Sequence, residues 1–190
     1  MKKILLISAL FTLCLSSRAQ NTASFGFGLD LGTSITKSSE FMHFTQIGAQ
    51  FGVDLTLKND DILFLGAGFD SGICSEKFLN IGNSEKLVLC PFYFNATYDL
   101  NNVGSMTGGL YGELKGGIAF GGLVSQKGSR TNSGYFAFGF GYQVDSISAG
   151  LEFSLYPGMT STIDGYTVKR DSTGSNLAIR FKYRFGKARY

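Results

Sequence analysis

Between residues 24 and 185 the chain repeats one pattern: large apolar residues alternate with glycine or polar residues, one for one, in eight runs. Period two puts the two kinds of residue on opposite faces of a strand, and no stretch holds apolar residues at helical spacing for more than two turns. The chain is therefore read as all-β. Strand one, residues 24–34, sets Phe25, Phe27, Leu29 and Leu31 against Gly26, Gly28, Asp30 and Gly32. Strand two, residues 45–57, sets Ile47, Phe51, Val53 and Leu55 against Gly48, Gln50, Gly52 and Asp54. Strand three, residues 62–71, sets Leu63, Leu65, Ala67 and Phe69 against Gly66, Gly68 and Asp70, with Ile62 and Phe64 interrupting the second face. In strand four, residues 85–98, Val88, Cys90, Phe92, Phe94, Ala96 and Tyr98 share one face, while Leu87, Leu89 and Pro91 spoil the other. Strands five to seven run through 110–120, 136–144 and 147–155. Strand eight sets Leu177, Ile179, Phe181, Tyr183 and Phe185 against Ala178, Arg180, Lys182 and Arg184.

The second face decides the surroundings. A soluble sandwich or ligand-binding barrel hides its large side chains inside and shows its charges to water. A membrane barrel reverses this, with apolar residues outward and a polar interior, in segments of about ten residues. The runs here match the roughly 9–11 residues needed for a tilted strand to cross a bilayer, whereas globular strands average about 5–6. Glycine inside also makes steric sense, because eight strands enclose room only for packed side chains. The composition agrees: 26 glycines and 18 phenylalanines in 190 residues, no tryptophan, and 16% charged residues against roughly 25% in soluble proteins. The gaps between runs alternate too. Residues 35–44, 72–84, 121–134 and 157–175 are the longer connections and 58–61, 99–107 and 145–146 the shorter, as in barrels with short periplasmic turns and long external loops. The expected fold is an eight-stranded antiparallel up-and-down transmembrane β-barrel.

Residues 1–19 read as an export signal and 20–190 as the barrel domain. Met1-Lys2-Lys3 is a basic start, residues 4–15 an apolar stretch too short to span a bilayer, and Ser17-Arg18-Ala19 a cleavage site. Phe11-Thr12-Leu13 lacks the small residue that precedes a lipidated cysteine, so Cys14 is not read as a lipid anchor. Removing the segment takes away Lys2, Lys3 and Arg18 and no acid, which brings the 17 basic residues level with the 14 acidic ones. The remaining Cys74 and Cys90 would meet an oxidising compartment, and their spacing neither requires nor excludes a disulfide.

Four segments carry a resemblance: Phe25-Gly26-Phe27-Gly28-Leu29-Asp30-Leu31-Gly32, the proline within Cys90-Pro91-Phe92, the strand 149–155, and the ending 177–185. In these the chain resembles the outer-membrane β-barrel domain family of Bacteroidota, the PorT-like group, and it is similar in plan to OmpX and OmpA barrels. It departs from the group around the strand-four proline, where Val88, Leu89 and Asn95 stand in place of an acid and a lysine. The resemblance implies the barrel fold and an outer-membrane location, which agrees with the cleaved signal peptide read from residues 1–19.

The inward faces carry the candidate chemistry. Asp30, Glu113, Lys115, Glu152, Arg180, Lys182 and Arg184 are read as a lumenal charge network, with Asp54 and Asp70 also on inward faces. Glu152 and Asp30 are the expected partners of Arg180, because strand eight lies between strands seven and one in a closed barrel. Ionised groups in a narrow lumen must pair to be tolerated, so the network is read as a structural plug that conducts nothing. His43, the only histidine, lies in the first long connection near Ser38, Ser39 and Glu40, and a lipid-hydrolysing site there is the competing enzymatic reading. A soluble barrel for an apolar ligand is the third. Gly26-Phe27-Gly28 and Gly66-Ala67-Gly68 sit within strands with no following helix and are packing glycines, not phosphate loops. Residues 160–169 are β-prone on both sides of Asp164-Gly165, a hairpin signal that is read as extending strands seven and eight beyond the membrane, and Asp164, Gly165 and Tyr166 form a candidate extracellular contact. No catalytic, metal or cofactor site is assigned. The expected partners are outer-membrane lipid, the barrel assembly machinery during insertion, and an extracellular protein or surface; nothing in the charge balance suggests nucleic acid.

Overall fold

The computed structural model describes residues 20–36, 38–41, 43–56, 62–75, 86–100, 108–124 and 126–185. The expected cleavage site lies outside these. The strands are β1 (Gln20–Thr36), β2 (Ser38–Phe41), β3 (His43–Thr56), β4 (Ile62–Ser75), β5 (Lys86–Asp99), β6 (Gly108–Leu123), β7 (Arg130–Val144), β8 (Ile147–Ile163) and β9 (Tyr166–Phe185). Every neighbouring pair is antiparallel, and β1 also pairs with β9, from Ala23↔Phe185 to Thr36↔Thr173. That last ladder closes an eight-stranded barrel. β2 is a short extra strand folded back on the end of β1, where Ser34 faces Phe41. Among the described residues there is no helix.

The strands run further than the apolar alternation does. β7 begins at Arg130, six residues before Phe136, and β8 and β9 continue to a tight turn at Asp164-Gly165. The expected connection 121–134 is therefore mostly strand, and within 157–175 the arms on both sides of Asp164-Gly165 extend the last two strands as the hairpin signal implies, with ladder hydrogen bonds but without a greasy outer face. The first connection is corrected in the same way: His43, expected in a loop, has its backbone in β3 opposite Ser75. Asp99, expected in a connection, ends β5 opposite Tyr111.

Side chains sort as the alternation requires. Phe25, Phe51, Phe92, Phe94, Phe138 and Phe140 point outward and are exposed, Phe94 by 77%. Inward glycines let neighbouring backbones close up. A Cβ on Gly141 would lie 2.2 Å from the Ala149 carbonyl oxygen and 2.5 Å from the Cα of Gly150, the residue it faces. Outward Gly112, by contrast, would meet nothing within 4 Å. The β8–β9 turn is stabilised by its sequence: Asp164 (φ 48°) and Gly165 (φ 83°) both adopt the left-handed conformation that a type I′ hairpin demands.

The two cysteines are set apart by the register. Cys74 faces Leu87, three residues along β5 from Cys90, a separation of about 10 Å that no disulfide bridges without moving the backbone.

Candidate functional site

Among the described residues the side chains that fill the lumen form three tiers. The middle tier is charged. β4 supplies Asp70, β6 Glu113 and Lys115, β8 Glu152, and β9 Arg180 and Lys182, each by the inward parity of its strand. Asp70, Glu113, Lys115, Glu152 and Arg180 are all 5% exposed or less. Arg180 Nη2 donates to Asp70 Oδ2 at 2.6 Å, and its Nε lies 3.3 Å from Glu152 Oε1. Lys115 Nζ donates to the other Glu152 oxygen at 2.7 Å and sits 3.8 Å from Glu113 and 4.0 Å from Asp70. Lys182 donates to Glu113 Oε2. Among the described residues three carboxylates thus face three cations, and these charges balance.

Neutral donors complete the shell that a buried carboxylate requires. Thr97 Oγ1 donates to Glu113 at 3.2 Å and Ser154 Oγ to Glu152 at 3.4 Å. The Gln50 amide donates to the Tyr93 hydroxyl at 3.0 Å, and Lys115 lies 4.7 Å from the centre of that ring. Arg180 and Asp70 stand 110 residues apart in the chain. Their contact crosses the lumen and forms only when the sheet has closed.

Toward the chain termini a second tier holds Arg184, whose Nη1 is 3.5 Å from Asp99 Oδ2 and whose guanidinium lies 5.4 Å from the centre of the Phe64 ring. Phe64 had stood out as an apolar interruption on an inward face; it is 2% exposed and serves as the surface on which Arg184 rests. Between these groups and Ser148, Gln143 and Tyr111 is a cavity of about 10 Å³, enough for one water molecule.

The third tier, at the opposite end, is apolar. Leu87, Leu89, Leu123, Tyr135, Tyr156 and Met159 are each 5% exposed or less and form one cluster. Tyr135 packs between Tyr93 and Tyr156 with its ring tilted to both, the ring centres 5.6 and 5.3 Å away. Leu87 and Leu89, which spoil the polar face of strand four in the sequence, are central to this cluster.

Of the residues singled out from the sequence, Glu113, Lys115, Glu152, Arg180 and Lys182 meet in the middle tier, and Arg184 lies in the tier below it. The side chains of Asp30 and Asp54 lie outside the described residues; the backbone of Asp30 faces Ala178. Asp164, Gly165 and Tyr166 are at the exposed hairpin tip, Tyr166 at 80%. The side chain of His43 is outside the described residues. Sequence reasoning left Asp70 without a partner and passed over Asp99, although Asp99 continues the inward parity of Asn95 and Thr97 by one step. Among the described residues no group of histidine, cysteine and acidic side chains is placed to hold a metal ion.

A closed eight-stranded antiparallel barrel with a polar filled lumen and an aromatic outer face is the fold of small outer-membrane β-barrels. Among solved structures, Neisserial surface protein A (NspA) superposes with a TM-score of 0.52 over 88% of this chain and 99% of that one, at 13% sequence identity. Ail, the attachment invasion locus protein of Yersinia pestis, gives 0.46 at 13% identity over 88% of this chain and 99% of its own. OprG of Pseudomonas aeruginosa gives 0.43 at 14% identity over 90% and 98%. At 13% identity the likeness to NspA is one of fold. No protein-family model matches the chain, and no curated protein does.

Proposed function

We propose that this protein is a small integral outer-membrane barrel, exported through a cleaved signal peptide, whose lumen is plugged and whose role is structural or surface-interacting without catalysis. The observation that carries the reading is the inverted distribution of polarity: exposed phenylalanines ring the outside, while five buried charges and the half-buried Lys182 pair with one another within. Apolar surface of this extent is stable against hydrocarbon and costly against water. Membership of the PorT-like group belongs to the same proposal and rests on the four segments that resemble it. Lipid on the outer face, the assembly machinery during insertion and a partner at the hairpin end of the barrel are the contacts this reading entails. The enzymatic reading has less support, because the His43 backbone is part of a strand ladder. A soluble ligand-binding barrel has less still, because its large apolar residues would face inward.

Cell fractionation combined with a gel comparing heated and unheated samples tests the reading. The expected result is a protein of the outer-membrane fraction whose unheated form migrates as a compact band. Pure protein refolded into planar bilayers should pass no steady current. Recovery in the soluble fraction without detergent, or large stable single-channel currents, would refute it.

A further inference from the structure

The polarity of the wall reverses partway along β7, β8 and β9. From Phe136 to Val144, Ile147 to Leu155 and Leu177 to Phe185, outward residues are apolar and inward ones are glycine, alanine, polar or charged. Beyond those points the outward positions are Gly134, Asn132 and Arg130 on β7, Thr160 and Thr162 on β8, and Ser175 and Thr173 on β9, while on the adjacent β6 the outward Phe120, which faces Asn132, is still apolar. The interior changes in the opposite sense at the same level, where Tyr135, Tyr156, Met159, Leu87, Leu89 and Leu123 form the buried apolar cluster.

The backbone marks the same level. The β7–β8 ladder is interrupted between Asn132 and Phe136, and β8 shifts against β9 between Tyr156 and Met159. The segment on β8 is Tyr156-Pro157-Gly158-Met159, with Gly158 left-handed at φ 64°. A bulge of this kind bends a strand and re-aims its side chains. Here it lets Tyr156 and Met159, three residues apart, both turn inward, which uninterrupted alternation forbids.

Outward-polar and inward-apolar is the pattern of a β-structure surrounded by water. We infer that the barrel carries, on the same strands, a second folded unit: a water-side collar with its own hydrophobic core, standing clear of the bilayer above the level of Phe136, Leu155 and Leu177. The inference rests on the outer-membrane reading and deepens it, because the collar is what presents Arg130, Tyr166 and the connections to the exterior. A belt of nine residues on each of these strands, tilted as in membrane barrels, is about 25 Å tall, the height of the hydrocarbon that such barrels cross. The collar is held by apolar packing and by buried pairs such as Thr131 with Ser161, whose hydroxyls are 3.0 Å apart, and not by lipid. It is a rigid platform, and the barrel seal against solutes from that side is the collar core.

The test places an environment-sensitive fluorophore on single cysteines in a Cys74→Ser, Cys90→Ser background: Asn132→Cys and Thr160→Cys in the collar, Phe138→Cys and Ala149→Cys in the belt. All four positions face outward. The protein is refolded into phosphatidylcholine vesicles containing acyl-chain spin-labelled lipid, and amide exchange of residues 156–163 is followed by mass spectrometry in the unlabelled parent. Belt sites should be quenched strongly and collar sites about threefold less or weaker still, as expected for positions some 10 Å or more beyond the hydrocarbon edge. The 156–163 amides should exchange slowly, at rates comparable to the belt strands. Equal quenching at all four sites would put the distal strands in hydrocarbon and overturn the inference. Unquenched collar sites with fast exchange at 156–163 would overturn it too, since the segment would lack a stabilising core. No quenching at any site would instead refute the membrane reading beneath it.

Discussion

Replacing Arg180 by methionine isolates the energetics of the charged tier. The substitution keeps most of the side-chain length and removes, among the described residues, the one cation at hydrogen-bond distance from Asp70, 2.6 Å, which also lies 3.3 Å from Glu152. What is left is three carboxylates facing Lys115 and Lys182. The Arg180 and Asp70 side chains are only 4% and 2% exposed, so solvent does not screen the imbalance, and removing one partner of a buried pair costs about 3–5 kcal/mol. With a urea dependence of about 2 kcal/mol/M, the unfolding midpoint should fall by about 1.5–2.5 M. The measurement is a urea titration of protein refolded into vesicles, under conditions where unfolding and refolding curves coincide, with the folded fraction read on an unheated gel. Adding Asp70→Asn restores two carboxylates against two ammonium groups. The double variant should therefore be more stable than the sum of the two single effects by about 2 kcal/mol or more. A loss below about 1 kcal/mol for Arg180→Met, or single effects that add to within about 0.5 kcal/mol, would refute the claim that the six charges form one electrostatic unit.

The two kinds of glycine should separate in the same titration: Gly141→Ala, whose Cβ would sit 2.2 Å from the Ala149 carbonyl oxygen, is expected to cost about 1–3 kcal/mol. Gly112→Ala, which opens onto empty space on the outer face, should be neutral or slightly stabilising, and equal losses would contradict the assigned faces. At the hairpin tip, Gly165→Val forces a β-branched residue to φ 83° at a cost of about 1–3 kcal/mol; brief proteolysis of folded protein should cut the variant at the tip while the parent stays intact. Finally, His43→Ala should leave the mass spectrum of lipid A from the producing cells unchanged, and a lost or shifted acyl species would reinstate the enzymatic reading.

How much of this was legible in the sequence depends on what period two encodes. It assigns a face to each residue, and it did so for Phe25 against Gly26 and for Glu113, Lys115, Glu152, Arg180 and Lys182 on the inward sides. It does not encode height in the lumen or the strand that lies across it. Those depend on tilt and stagger, which arise only when β1 meets β9. Hence Asp70 was visible as an inward acid while its contact with Arg180 was not, and Asp30 was an equally reasonable partner by adjacency. Asp99 was hidden for a different reason: Asn101 and Asn102 follow it as turn signals, and these outweighed one further step of alternation. The apparent impurities are the more instructive cases. Phe64 breaks a polar face because a guanidinium needs a surface to lie on. Leu87 and Leu89 break one because they pack inward against Tyr135, Tyr156 and Met159, an apolar cluster whose burial is the favourable arrangement. The outer side chains of β7 and β8 at the collar, Asn132 and Thr160, make the same change in the opposite direction. A lapse in alternation on an inward face is therefore positional information when it coincides with polar residues on the outward faces of neighbouring strands: together they mark where along a strand the surrounding solvent changes from lipid to water.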